Sequence, residues 1–497
     1  MTQPIQPQPA SASDSPVRAS RRALLLDACL GLGLGRIALS HLLAEDRVSA
    51  HEPERVALPR GRDLSARLSH RVPQARSVIM LMQTGGPSQM DMFDPKPELQ
   101  RRDGQQHQTK FETLQNGSHD NKLMASPFRF QRRGQSGMDF SEMVPHLGSQ
   151  ADEICMVRSM FSENNNHPQA MRFLNTGSIL SGRPTLGAWI SYALGSENQD
   201  LPAYLVLRDP DGYADGGVTN WDSGWMPPLF RGTEVQTRGT PILNLHAPDG
   251  VADRDPAAQL SLLAGLNRHH QRLFPFDAEL ESRILNYELA ARMQQRAEQI
   301  LDVKDESPAM HKQYGLDSPL TRDYGMRCLM ARRLVEAGVR FIHILPPQKK
   351  DGAGPWDHHG SLKSRMESLS PQIDQPSAAL IQDLKNRGLL EQTIVIWTGE
   401  FGRLPISQNG DGRDHNRNAF TLLAAGGGFR AGYVHGATDE LGYAAVQDRV
   451  SCHSLHATIL QQLGIDHHAL TYRHNGRDER LTDPEVTGAE VVKALLA

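Results

Sequence analysis

Short apolar runs that end in Gly, Thr or Asp recur along the chain and alternate with stretches of helical period. Ser77–Met82 (Ser-Val-Ile-Met-Leu-Met) and residues 394–397 (Ile-Val-Ile-Trp) have no polar alternation, as expected of strands buried on both faces. Residues 153–158, 202–207, 339–345 and 420–425 repeat the pattern. Residues 276–302, 320–337, 377–387 and 455–463 carry apolar positions at helical spacing. Residues 141–147 read as the start of a helix, and a further helix runs from His167 to Leu174 with Pro168 in its first turn. This alternation predicts an α/β fold, a doubly wound and mostly parallel sheet flanked by helices. Insertions interrupt it near 103–137 and 209–330. Within the second, the Gly/Pro-rich stretch 209–240 carries Trp221 and Trp225 and reads either as a substrate lip or as a packed Ω-loop.

Composition narrows the classes. The 497 residues are 38% hydrophobic and 22% charged, enough for a sizeable core. A net charge of −4 carries no basic signal, which argues against nucleic acid as a partner. Cys29, Cys155, Cys328 and Cys452 lie far apart, so neither a disulfide framework nor a thiolate zinc site is expected. Residues 1–45 begin Gln-, Pro- and Ser-rich and then place Arg21-Arg22 before a moderately apolar stretch, the pattern of a twin-arginine export signal. Asp27 and Arg36 break that stretch, so no stable membrane span is expected. Residues 46–73 read as a linker and 74–497 as the folded body, located in the periplasm or outside the cell.

Candidate chemistry gathers where strands end. Open α/β sheets place functional groups at the carboxyl ends of their strands. Glu400 ends the run at 394–397, and His415 follows in a Gly/Asp/Asn-rich loop that can fold back toward it. Trp356-Asp357-His358-His359 follows the strand at 339–345 and offers another carboxylate and two imidazoles. Asp, Glu and His together suit a divalent ion such as zinc, manganese or calcium. Asp357, His359, Glu400 and His415 form the expected single site, with His358 in reserve. His167 lies past the strand at 153–158, at the mouth of its helix. Ser88 and Asp91 follow the Gly85-Gly86-Pro87 turn after the first strand, Asp91 as either a helix cap or a further ligand.

Several motifs together carry a resemblance. They are the paired-arginine leader, Gly-Gly-Pro-Ser-x-x-Asp-x-Phe-Asp-Pro-Lys-Pro, Gly-Arg-Pro-Thr-Leu-Gly-Ala-Trp, Trp-Asp-His-His, Gly-Glu-Phe-Gly-Arg and Gly-Arg-Asp-His-Asn. In these the chain resembles the exported bacterial family known as domain of unknown function 1501, within the alkaline phosphatase/sulfatase-like superfamily. The resemblance implies a metal-dependent hydrolase of phosphate or sulfate esters acting on a small-molecule or glycan ester. The alternative it leaves is a catalytically inactive, metal-stabilised binding or scaffold protein of the same fold. It also implies that Asp357, His359, Glu400 and His415 are ligands. His167 takes the position of the superfamily's nucleophile, where it could act as nucleophile, general acid or further ligand. No hydroxyl or thiol stands there, which makes Ser88 the other nucleophile candidate. Thr84 stands where the superfamily has a metal-binding Asp at the end of the first strand, and Phe401 where a His would follow Glu400.

The leader is directly testable. Changing Arg21 and Arg22 together to Lys should hold the precursor in the cytoplasm, as read by fractionation and blotting. Undiminished accumulation outside the cytoplasm would point to another export route.

Overall fold

A computed structural model describes residues 63–238, 256–273, 278–348 and 354–497. The expected leader, most of the expected linker and parts of the second insertion lie outside the described residues. Among the described residues the central sheet has nine strands. They are β1 (Ser77–Met82), β2 (Ile154–Phe161), β3 (Tyr204–Leu207), β4 (Thr233–Val235), β5 (Phe341–Ile344), β6 (Thr393–Thr398), β7 (Phe420–Ala425), β8 (Tyr433–His435) and β9 (Val450–Ser451). The spatial order is β8-β2-β7-β6-β1-β5-β3-β4, with β9 also beside β2. All pairings are parallel except those of β7, which runs antiparallel to β2 and β6. The mostly parallel α/β expectation therefore holds.

The unbroken apolar runs follow from burial on both faces. Along β1, Ile79 and Leu81 enter one core while Val78, Met80 and Met82 enter the other. Along β6, Val395 and Trp397 go one way and Ile394 and Ile396 the other. Successive strand side chains alternate in direction, so with a core on each side every position is apolar. The first core is covered by α4 (Ala278–Leu301), α5 (Arg322–Glu336) and α6 (Leu362–Asn386). The second is covered by α1 (His167–Thr176), α2 (Leu186–Leu194) and α7 (Cys452–Gln462). A further helix, α3 (Pro256–Leu273), precedes α4. Among the described residues, no helix is long and apolar enough to cross a membrane.

Two elements differ from the expectation. The helix expected over 377–387 is only the last part of α6, which runs on through Pro371 and Pro376. Proline normally ends a helix. Here Met366, Leu369, Ile373, Leu380 and Leu384, buried at helical spacing, hold both halves to one core. The helix expected over 141–147 begins later, at Pro145, because Met138–Ser141 is a strand paired with Phe130–Arg133. The tryptophan-bearing stretch is packed rather than a free lip. Trp221 is fully buried, and Trp225 stacks on His474 with ring centroids 5.0 Å apart.

One glycine sets the approach of two loops to the sheet edge. Gly85, just past β1, has φ of +103°, and a Cβ on it would lie 2.7 Å from the backbone nitrogens of both Trp356 and Asp357. Gly85→Ala therefore meets both backbone strain and a clash that no side-chain rotation relieves. It should cost about 1–3 kcal/mol of stability, read as a lower midpoint of thermal unfolding.

Candidate metal centre

The carboxyl ends of β1, β2, β5 and β6 share one edge of the sheet, and each leads into a segment of the site. Past β6, Glu400 is fully buried. Its Oε1 accepts from the Gly85 backbone N–H at 2.9 Å and from His167 Nδ1 at 2.5 Å. His167 itself begins α1, after the loop that leaves β2. The Asp357 segment docks on the β1 turn, with Trp356 N donating to Thr84 O at 3.2 Å and Trp356 Nε1 to Gln83 Oε1 at 3.0 Å. His415 is placed by a two-residue antiparallel ribbon in which it pairs with Arg403.

Four groups converge on a single oxygen. Asp357 Oδ1 lies 3.2 Å from His167 Nε2, 2.8 Å from His359 Nε2, 3.1 Å from His415 Nε2 and 2.7 Å from Arg403. The other nitrogen of every ring is already committed. His167 Nδ1 donates to Glu400, His359 Nδ1 to Gln408 Oε1 at 2.5 Å, and His415 Nδ1 to the Asn165 carbonyl at 2.6 Å. The Gln408 amide is itself oriented by donation to Asn116 O at 2.8 Å. These partners fix the tautomers, so each neutral ring turns an Nε2 lone pair toward a carboxylate oxygen. Lone pairs do not stabilise one another, and the arrangement calls for a cation between them. Consistent with this, His167 Nε2 and His359 Nε2 are buried yet make no properly directed hydrogen bond. Imidazoles anchored through Nδ1 that present Nε2 are the usual mode of histidine ligation. The donors of His167, Asp357 and His415 lie within 4.8 Å of one another. His359 approaches the same carboxylate oxygen. The residues present fit a divalent ion.

The expected residues separate into two places. Asp357, His359 and His415 come together as anticipated, and His167 joins them through Nε2. Glu400 stands behind His167 as its hydrogen-bond acceptor rather than facing the same point as Asp357. Asp91 and Ser88, anticipated as ligand and nucleophile, are engaged elsewhere. Asp91 receives a two-pronged contact from the buried Arg413, at 2.7 and 3.1 Å, and Ser88 donates its hydroxyl to Asp91. A carboxylate so fully bound to a guanidinium is spent, and so is a hydroxyl bound to that carboxylate. His358 is also turned aside, with Nε2 on the Pro355 carbonyl at 2.9 Å. Arg403 was missed, although the Gly-Glu-Phe-Gly-Arg motif contains it.

The charges are unequally distributed. Burial opposes ionisation of Asp357, but Arg403 and the three imidazoles hold its carboxyl well below the usual range. Burial also disfavours a charged His167, yet the facing carboxylates of Asp357 and Glu400 outweigh this and raise it to about 9. His415 moves the other way, to about 3, through burial and the nearby positive charges of Arg403 and His167. Without an ion, a proton on His167 fills the gap between the carboxylates.

These shifts predict how the metal-free protein responds to pH. The raised His167 contributes stability that is complete below about pH 6.5 and lost as pH rises to about 9. The depressed His415 contributes stability that is present above about pH 6.5 and lost as pH falls toward about 3. In chelator, unfolding free energy should peak near pH 6.5 and fall by on the order of 3 kcal/mol toward pH 9. Denaturant titrations across that range provide the check, and a flat alkaline limb would contradict it.

Comparison with known proteins places the chain in a family. No curated protein matches it. Similar solved structures include Ps i-CgsB in complex with k-i-k-neocarrahexaose, at 10% identity over 79% of this chain and 73% of that one, with a TM-score of 0.37. The PsFucS1 sulfatase from Pseudoalteromonas sp. is 13% identical over 79% and 68%, with a TM-score of 0.33. A protein in the alkaline phosphatase superfamily from Vibrio parahaemolyticus is 10% identical over 82% and 70%, with a TM-score of 0.32. Likeness at this level assigns neither an activity nor a ligand to this chain. Residues 75–496 match the family described as "Protein of unknown function (DUF1501)", and the chain belongs to that family.

Proposed function

We propose that the protein is an exported, metal-dependent hydrolase of phosphate or sulfate esters with one divalent ion. In this reading Nε2 of His167, His359 and His415 and Oδ1 of Asp357 hold the ion. The observation that carries it is the convergence of three imidazole lone pairs on one carboxylate oxygen, each ring fixed from behind. A divalent ion there would supply Lewis-acid chemistry to an ester oxygen. The protein's own contribution is positioning. Glu400, Gln408 and Asn165 set the three ring orientations, and Phe401 packs against His167 and His415 at 4.8 and 4.7 Å between ring centroids. His167 then serves as a ligand rather than as a nucleophile, since both of its nitrogens are occupied in holding the site. A small-molecule or glycan ester is the proposed substrate class.

The second reading is a binding or scaffold protein in which the ion is structural. It is favoured by the absence of any hydroxyl or thiol hydrogen-bonded to the cluster among the described residues. Metal analysis of the purified protein, followed by a screen of aryl phosphate and sulfate esters, separates the two. His415→Ala should lose the ion and melt at lower temperature, because binding to the native state stabilises it. His167→Asn should weaken metal affinity and abolish turnover. Glu400→Gln should reduce metal affinity by about 10–100-fold, as expected of an orienting partner. A His415→Ala variant with full metal content would reject the site. A metal-loaded wild type inert toward every ester would favour the scaffold.

A further inference from the structure

Helix α3 differs from the rest of the fold in what it leaves uncovered. None of its described side chains is buried. Leu262, Leu266 and Leu273 are 67%, 59% and 61% exposed. At about 100° per residue, these three leucines fall within roughly 40° of one another on the helix surface. The stripe points away from the protein. Ala264 and Asn267, on the other side of the helix, line a groove with Tyr287, Ala291 and Arg292 of α4. A helix of 18 residues is marginal on its own in water, and helices in proteins draw most of their stability from burying an apolar stripe. The stripe of α3 has no such cover from its own chain among the described residues.

Charge narrows what can cover it. The sequence of α3 contains no acidic residue. Arg268 and Arg272, one turn apart, are exposed, and neither takes part in an ion pair among the described residues. They stand about 100–140° around the helix from the leucines, flanking the stripe rather than interrupting it. The whole chain has a net charge of −4, so α3 is a basic island on a slightly acidic protein. A second copy of α3 would offer leucines to the stripe but no carboxylate to the arginines. A bilayer with anionic headgroups offers both an apolar interior and a negative surface. Arginine stems can lie along the apolar boundary while the guanidinium stays among the headgroups. No described helix is long and apolar enough to cross a membrane, so such a contact lies in the plane of the surface.

We propose that α3 is an interfacial helix that docks the folded protein on an anionic lipid bilayer. Leu262, Leu266 and Leu273 enter the boundary of the acyl chains, and Arg268 and Arg272 meet the headgroup phosphates. Leu263 and Tyr287, also exposed, widen the apolar surface toward α4. Burial of the leucines supplies the larger part of the attraction. The arginines add a part that salt screens within about 10 Å. None of these residues belongs to the proposed ion site, so docking can be removed by mutation without touching that site.

The test floats the full-length protein with vesicles of mixed phosphatidylglycerol and phosphatidylcholine, and with phosphatidylcholine alone. The wild type should bind the mixed vesicles, and bind them less as salt is added. Changing Leu262, Leu266 and Leu273 together to Gln, a good helix former, should weaken binding at least ~10²-fold. Its midpoint of thermal unfolding should be unchanged, since no core residue is altered. Arg268→Gln with Arg272→Gln should weaken binding roughly 20-fold and flatten the salt dependence. Leu266→Trp should add a blue-shifted emission component when mixed vesicles are present, which locates the contact at α3 rather than at the leader that all variants share. A wild type that stays unbound, a leucine variant that binds equally, or an unshifted Leu266→Trp would overturn the proposal. Equal binding by the arginine variant, or equal binding to phosphatidylcholine alone, would reject the anionic surface. A dimer in light scattering that the leucine variant converts to a monomer would assign the stripe to a second copy instead.

Discussion

The sheet edge depends on one buried guanidinium. Arg403 is 1% exposed, and its donors reach the carbonyls of Gly85, Gly86 and Arg413 and the carboxylate of Asp357. A buried cation is costly unless it is paired and its N–H groups are used, and here both conditions are met. The pairing ties together the turn after β1, the Asp357 segment and the ribbon that carries His415. Three segments distant in sequence are thereby fixed to one point. The same charge keeps Asp357 ionised, so the carboxylate at the centre of the cluster is always available to a cation.

A second buried pair supports the same ribbon from its other side. Arg413 and Asp91 are both fully buried, and Ser88 completes the contact from the turn after β1. Gln89 adds backbone contacts, accepting from Arg403 N at 2.8 Å and donating to its carbonyl at 3.0 Å. The residues after β1 therefore build the frame, and the candidate ion site opens beside them at Asp357 and His359. This explains how a turn rich in functional-looking groups serves stability. Charged groups buried as satisfied pairs are structural as often as they are chemical, and only their partners tell the two apart.

In this cluster a proton and a divalent ion would compete for one place. His167 is raised and His415 depressed although both rings face the same carboxylate. Each differs in what stands behind it, a carboxylate for His167 and a neutral carbonyl for His415. One proton in the metal-free state, or one divalent ion, satisfies the same convergence of lone pairs. Binding an ion would then release a proton, as metal sites built from histidine generally do.

Much of this was readable along the chain. Continuous apolar runs reported a sheet buried on both faces, because strand periodicity and two-sided burial are local consequences of the residues themselves. The ends of those runs pointed to Asp357, His359, Glu400, His415 and His167, since strand ends converge in any mostly parallel sheet. His453 and His456, on α7, bond to the carbonyls of Gly177 and Leu174. What the chain could not reveal was which neighbour each side chain would meet. Asp91 and Glu400 are both carboxylates that follow a strand, yet one faces Arg413 and the other a histidine ring. Strand and helix are set by near neighbours in sequence, whereas pairing and proton affinity are set by partners such as Asp91 and Arg413, 322 residues apart, that meet only in the folded chain.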